Sequence, residues 1–179
     1  MSVVGLTVEL VVTDARGEQA VQKITTAFER AGDEIKDFGK HVFPRLVSVF
    51  EAAEGRQFDA EGGGPFAGHW AALSKRYAEW KAKAYPGKKI LERTRDLREA
   101  LTSSTSPLAA RDYSAASMVF GTAGVEYASF HVTGTPFMPA RAPFDFDATF
   151  EDELEKATHL GIVDALRAAR LDEVADVTV

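Results

Sequence analysis

Two Glu-x-Lys triplets, Glu34-Ile35-Lys36 and Glu79-Trp80-Lys81, have the form that can hold a divalent metal beside a lysine. Such a site needs the Glu and Lys on one face of a strand and an Asp on the next, so that carboxylates converge on Mg²⁺. Both triplets sit in helical periodicity, where residues two apart point about 200° away from each other, so neither pair is placed to share a metal. His131 with Asp145 and Asp147 is the other His/carboxylate group close in sequence, but it lacks a second His or fixed third ligand. Ser74 and Ser129 have no neighbouring His/Asp arrangement and no nucleophile-elbow glycines. The run Gly62-Gly63-Gly64-Pro65 leads to Trp70 and not to Gly-Lys-Ser/Thr, which makes it a poor phosphate cradle. The expectation is a non-enzymatic chain: no catalytic residues, no cofactor and no metal ligands.

The residues around His131 offer contact chemistry instead. Pro136, Pro139 and Pro143 stiffen the segment and limit the entropy lost on docking. A rigid arm bearing Phe137, Met138 and Arg141 has the composition of an interface core, where aromatics, Met and Arg are favoured. Phe137, Met138, Arg141, His131 and Trp70 are therefore the interface candidates, while Phe144 and Phe146 are read as closing the chain's own core. The arm 135–141 and the glycine-rich loop are expected to become ordered on docking.

Those residues must be positioned by a chain of 179 residues with 45% hydrophobic content, enough for one core. Cysteine is absent, which excludes disulfides and thiolate metal sites and suits a reducing compartment. No apolar run approaches the roughly 20 residues of a membrane span, and Met1-Ser2-Val3-Val4-Gly5 lacks a basic signal region, so a soluble intracellular protein is expected. The net charge is −6, yet residues 75–99 hold nine Lys/Arg against four acids, so the middle is basic and the flanks acidic.

Val4, Leu6, Val8, Leu10 and Val12 alternate as a half-buried strand. From Val21 the period changes: Val21, Ile24, Phe28, Ala31, Ile35, Phe38 and Val42 predict a long helix with a core-facing stripe. Pro44 predicts a kink or restart before Leu46, Val47, Phe50 and Ala53 continue the stripe. Residues 55–68 read as a glycine-rich loop. Helices are predicted over 69–84 and 89–101, then a hairpin pairing 118–121 with 125–132, a short strand at 143–146, and a helix over 150–166 capped by Asp147. The domain spans 1–171, with a tail at 172–179. The fold class expected is α+β, a small mainly antiparallel sheet packed against a long N-terminal helix and a C-terminal helix.

Trp70-x-x-Leu73-Ser74, Lys81, Pro86, Ile90-Leu91, Thr94 and Leu97 are followed by Tyr127-Ala128, His131, Gly134 and Arg141. In that order, over about residues 58 to 165, they resemble the bacteriophage virion-morphogenesis, or tail-completion, family of neck and head-tail joining proteins. Arg95 stands where that family most often has glycine, Val132 where Gln is common, and Ala142 interrupts an Arg-Pro-Phe ending. The resemblance implies a structural virion protein, a tail terminator or head-to-tail joining component, located in the tail or neck and assembled in the host cytoplasm. It implies a cyclic homo-oligomer, commonly a hexamer, that meets tail tube protein and head-tail connector proteins. DNA would pass through its lumen without specific binding, and no membrane is involved. Two other classes stay open: a nucleic-acid-binding module using the basic segment 75–98, and a metal-dependent phage hydrolase using Asp145 and Asp147.

Overall fold

The computed structural model describes residues 15–62, 70–143 and 148–169. The strand expected at Val4–Val12, all but the first residue of the short strand at 143–146, the Asp147 cap, the tail at 172–179 and most of the glycine run fall outside the described residues. The class is α+β: a two-stranded antiparallel sheet packed against several helices.

Helix α1 (Ala15–Lys36) presents Ala27 and Ala31, one turn apart and nearly fully buried, to α7 (Ala148–Ala168). Small side chains let the two backbones approach. Phe28, predicted in the core stripe, is instead 65% exposed, because the alanines beside it occupy the face that meets α7. The chain breaks at Asp37, whose Oδ1 accepts from the Lys40 amide to open the single turn α2 (Phe38–His41). At Val42 it restarts as α3 (Phe43–Asp59), with Pro44 in the first turn, where a missing N–H costs nothing. Gly161 of α7 crosses at this corner: a Cβ there would stand 2.8 Å from the His41 carbonyl and from Val42.

α3 runs further than the sequence reading allowed. Gly55 lies inside it, and the helix continues to Asp59 because Phe58, fully buried, extends its apolar stripe by another turn. The loop predicted from residue 55 therefore begins only after the helix. One side of α3 packs on α7 around Ala53 and Phe150, the other on α5 (Asp96–Thr102) around Phe58, Leu97 and Leu101. Phe50 joins the two clusters, stacked on Phe120 at 4.8 Å and edge-on to Phe150 at 5.1 Å.

The sheet pairs β1 (Ala109–Tyr113) with β2 (Met118–Thr122), Arg111 opposite Phe120, and rests on α5. Arg111 fixes this arrangement. Its guanidinium donates to the carbonyls of Gly121, Ala100 and Leu101, meets Glu51 at 3.2 Å and lies 3.7 Å above the Phe120 ring. It thereby satisfies carbonyls in the last turn of α5 that have no intrahelical partner.

The hairpin predicted between 118–121 and 125–132 does not form. β2 pairs with the upstream strand, Gly124 turns the chain at φ 79°, Val125 enters the core, and Ala128–Thr133 winds into a short helix, α6. A short aromatic run fits strand and helix equally, and here tertiary packing decides. Likewise helix α4 (Lys75–Ala84) begins at Lys75 and not at residue 69. Ser74 caps it by accepting from the Tyr77 amide, and Trp70 lies in the preceding segment. Residues 89–95 form turns and bends before α5, so the helix predicted over 89–101 is confined to about its second half.

Arg95, the residue opening α5, has φ 76°, a left-handed conformation that strains a side chain bearing a Cβ. Replacing it with glycine, Arg95→Gly, is expected to stabilise the fold by about 1 kcal/mol, since the exposed side chain makes no capping bond there. A chemical denaturation midpoint unchanged or lowered would show that the turn does not carry this strain.

Candidate functional site

A cleft of ≈ 760 Å³ opens where the segment before α4, the turns at 91–94, α6 and the arm after Gly134 meet. Its walls include Leu73, Leu91, Tyr127 and Met138; Tyr77, Phe130 and Phe137 stand at its edge, and Lys81, Arg93 and Arg141 contribute charge. Among the described residues no Asp or Glu lines it. Four of the five predicted interface residues, His131, Phe137, Met138 and Arg141, come together here.

The arm is held in place by the chemistry of its own residues. Gly134 closes α6 at φ 74°, where a Cβ would lie 2.8 Å from the Ala140 nitrogen, so the chain can fold back closely only with glycine. Thr135 and Met138 then exchange backbone hydrogen bonds of 2.8 and 3.1 Å around a Pro136-Phe137 tip. The turn leaves Phe137 97% exposed. The Arg141 amide donates to the His131 carbonyl at 2.6 Å, which ties the arm to α6.

Arg141 itself is not a free contact. It is 4% exposed; its Nε donates to the Ala71 carbonyl at 2.6 Å and its Nη2 to that of Ala72 at 3.0 Å. A guanidinium with two of its five donors on these carbonyls clamps the arm to the segment before α4. The arm predicted to await a partner for its order is therefore already hydrogen-bonded within the chain. Trp70 departs further from its predicted interface role. It is 7% exposed, edge-on to Phe58 at 5.3 Å, with Nε1 donating to the Ala142 carbonyl at 3.0 Å. An amphipathic ring with one polar atom is well used where its N–H can reach a carbonyl and its body can fill a core.

His131 stands edge-on to Tyr127 at 5.7 Å, and its Nδ1 is buried without a hydrogen-bond partner among the described residues. Burial, and next the Arg141 charge, push its pKa below the usual imidazole value, which keeps the ring neutral at neutral pH. Its proposed partners Asp145 and Asp147 lie outside the described residues. Lys81, weighed as half of a metal pair, is buried, with its ammonium on the Lys89 carbonyl; burial lowers its pKa, opposed by Glu61 and Glu92. Glu79, two residues earlier, is exposed. Glu34 turns to Lys40 and His41, which lower its pKa, while Lys36 sits 3.7 Å from Asp33. Among the described residues no group of three or more His, Cys, Asp or Glu converges as a metal site.

The basic segment is partly neutralised in the fold. Arg98 binds Glu92 and Asp59, holding the Asp59 carboxyl below its usual range, and Lys89 donates to the Asp59 carbonyl at 2.8 Å. Lys75, Arg76, Lys83, Arg93 and Arg95 remain exposed. Among the described residues no helix is long and apolar enough to cross a membrane. Tyr77 and Trp80 are surface residues of α4, 39% and 46% exposed and in contact with each other at 5.3 Å. Ser74, an N-cap residue type, was the sequence signal for the later helix start, and Lys81 is the residue of α4 that is buried.

No family model, no curated protein and no solved structure matches this chain, so its cleft and the aromatic surface around it carry the functional argument.

Proposed function

We propose that this chain is a structural subunit that docks on copies of itself and on a tube-like partner, as a tail-completion or head-to-tail joining component of a tailed bacteriophage. The observation that carries the docking reading is the surface around the cleft. Phe137 stands almost wholly in solvent at the tip of a hydrogen-bonded turn, with Phe130, Tyr77 and Trp80 exposed nearby in the same region. A turn braced in this way holds an aromatic anchor rigid before docking, which lowers the entropy cost of association. The virion assignment rests on the resemblance of the ordered motifs from Trp70 to Arg141.

The test is mass and symmetry in solution, by light scattering and negative-stain imaging, alone and with tail tube protein. Rings or a stable oligomer are expected. The double variant Phe130→Ser/Phe137→Ser should dissociate it while leaving the denaturation midpoint within about 0.5 kcal/mol of the parent, as for exposed residues. A strict monomer that ignores the tube and retains DNA, with steep salt dependence, would transfer the assignment to the nucleic-acid module. Tyr77 and Trp80 between exposed Lys75, Arg76 and Lys83 would then be its stacking platform.

A further inference from the structure

We infer that the cleft receives the acidic, valine-bearing segment 172–179 of a second copy of this chain. The inference rests on the self-associating reading and names the contact that would join one subunit to the next.

The cleft has a specific chemistry. Among the described residues its charged lining side chains are cationic, Lys81, Arg93 and Arg141, while Glu61 and Glu92 act on Lys81 from outside that lining. Lys81 and Arg141 are nearly fully buried and are held by carbonyls, so their charge is fixed in position. Arg93 is exposed at the entrance. The remaining wall is largely apolar, with Leu73, Leu91, Tyr127 and Met138 partly open to solvent. Its volume of ≈ 760 Å³ lies within the range of about 300–1,000 Å³ that accepts compact apolar groups fixed by a few polar contacts.

An occupant must bring carboxylates and medium-sized apolar side chains together. The segment Asp172-Glu173-Val174-Ala175-Asp176-Val177-Thr178-Val179 has three acids, three valines and no Lys or Arg. Carboxylates opposite Arg93, in the field of the clamped Arg141 charge, would gain charge-assisted contacts in a site partly shielded from water, while the valines cover the leucine and methionine surface. The other dense acidic run, Glu151-Asp152-Glu153, is wound into α7 and has Glu153 bound to Arg56. A second copy is the source because α7, which leads into the segment, packs chiefly on α1, α2 and α3, whereas α4, α6 and the arm frame the cleft. The two regions belong to separate buried clusters, one around Phe150 and one around Trp70.

The natural absence of cysteine allows a clean test. Ala72 is an exposed wall residue of the cleft whose side chain makes no hydrogen bond, so Ala72→Cys leaves the Arg141 clamp to its carbonyl intact. Differently tagged Ala72→Cys and Val177→Cys proteins are mixed under mild oxidation, and the disulfide-linked heterodimer is measured on a denaturing gel. The control pairs Ala72→Cys with Lys156→Cys, an exposed position on α7. The expected yield is at least ten-fold above control, falling at least five-fold when Arg93→Glu is added to the Ala72→Cys partner. A yield equal to control, or one insensitive to Arg93→Glu, overturns the inference. So does an intramolecular link that dominates in the dilute double variant Ala72→Cys/Val177→Cys, since the cleft would then hold the chain's own segment. Light scattering on the same samples separates the two readings: an oligomer that gives no link removes only this contact, whereas a monomer at every concentration removes self-association as well.

Discussion

Glu54→Met is expected to raise the unfolding free energy by on the order of 5 kcal/mol at pH 8 and to remove most of its pH dependence. Glu54 points from α3 into the core, is 0% exposed, and has no hydrogen-bond partner for either carboxylate oxygen among the described residues. Burial pushes its pKa up to about 9 from 4.5, with the Arg111 charge opposing. Between those two values the folded chain holds a proton that the unfolded chain has released. Stability from this group is therefore fully present below about 4.5 and declines by about 1.4 kcal/mol per unit until pH passes about 9. Arg111 does not rescue the carboxylate, because its donors are committed to Glu51 and to carbonyls. Methionine is unbranched and close in volume, so it fills the space without a polar group left unpaired. Urea midpoints at pH 5, 6.5 and 8 give the result. At pH 5 the variant should gain only about 1 kcal/mol, the cost of burying a neutral carboxyl without a partner. If the parent shows no decline between pH 5 and 8, Glu54 is ionised in a solvated position.

What the sequence made legible follows from the range of the forces involved. The restart at Pro44 and the last helix are local matters of backbone geometry and period, and both were readable. So was the crowding of His131, Phe137, Met138 and Arg141 into one region, since a proline-rich arm directly after a short aromatic run has few ways to go. The errors arise where a distant partner decides. Phe58 extends α3 through Gly55 because Trp70 and Leu97 supply the other side of its pocket. Residues 128–133 become a helix because β2 is already paired with a strand that the sequence reading did not identify at all. That strand, Ala-Ala-Arg-Asp-Tyr, has little strand propensity of its own and is held by Arg111, whose reach across the sheet to α5 no spacing rule reveals. Arg141 was read from composition as an interface arginine, but composition does not say whether its donors meet a partner or the chain's own carbonyls.

The distinction between a core and a contact residue is testable at Trp70, the second large effect. Trp70→Ala is expected to cost about 3–5 kcal/mol, the range for removing a large buried aromatic. The indole fills the space between Phe58 and the turn at Gly62, where the backbone runs at φ 94° and a Cβ would stand 2.7 Å from the ring. Trp70→Phe separates the two functions of the ring. It retains a face against Phe58 but removes the Nε1 donor, leaving the Ala142 carbonyl beside Arg141 without that bond; a loss of about 1–2 kcal/mol is expected. Because Ala142 follows the clamp residue directly, the phenylalanine variant should also loosen the arm, seen as faster hydrogen exchange at the Arg141 amide, which donates to His131. An interface tryptophan would behave in the opposite way: its substitution would leave the denaturation midpoint and the Arg141 amide unchanged while abolishing association. Measuring stability, exchange and oligomer mass on the same two variants therefore decides whether Trp70 supports the cleft from beneath or meets a neighbour across it.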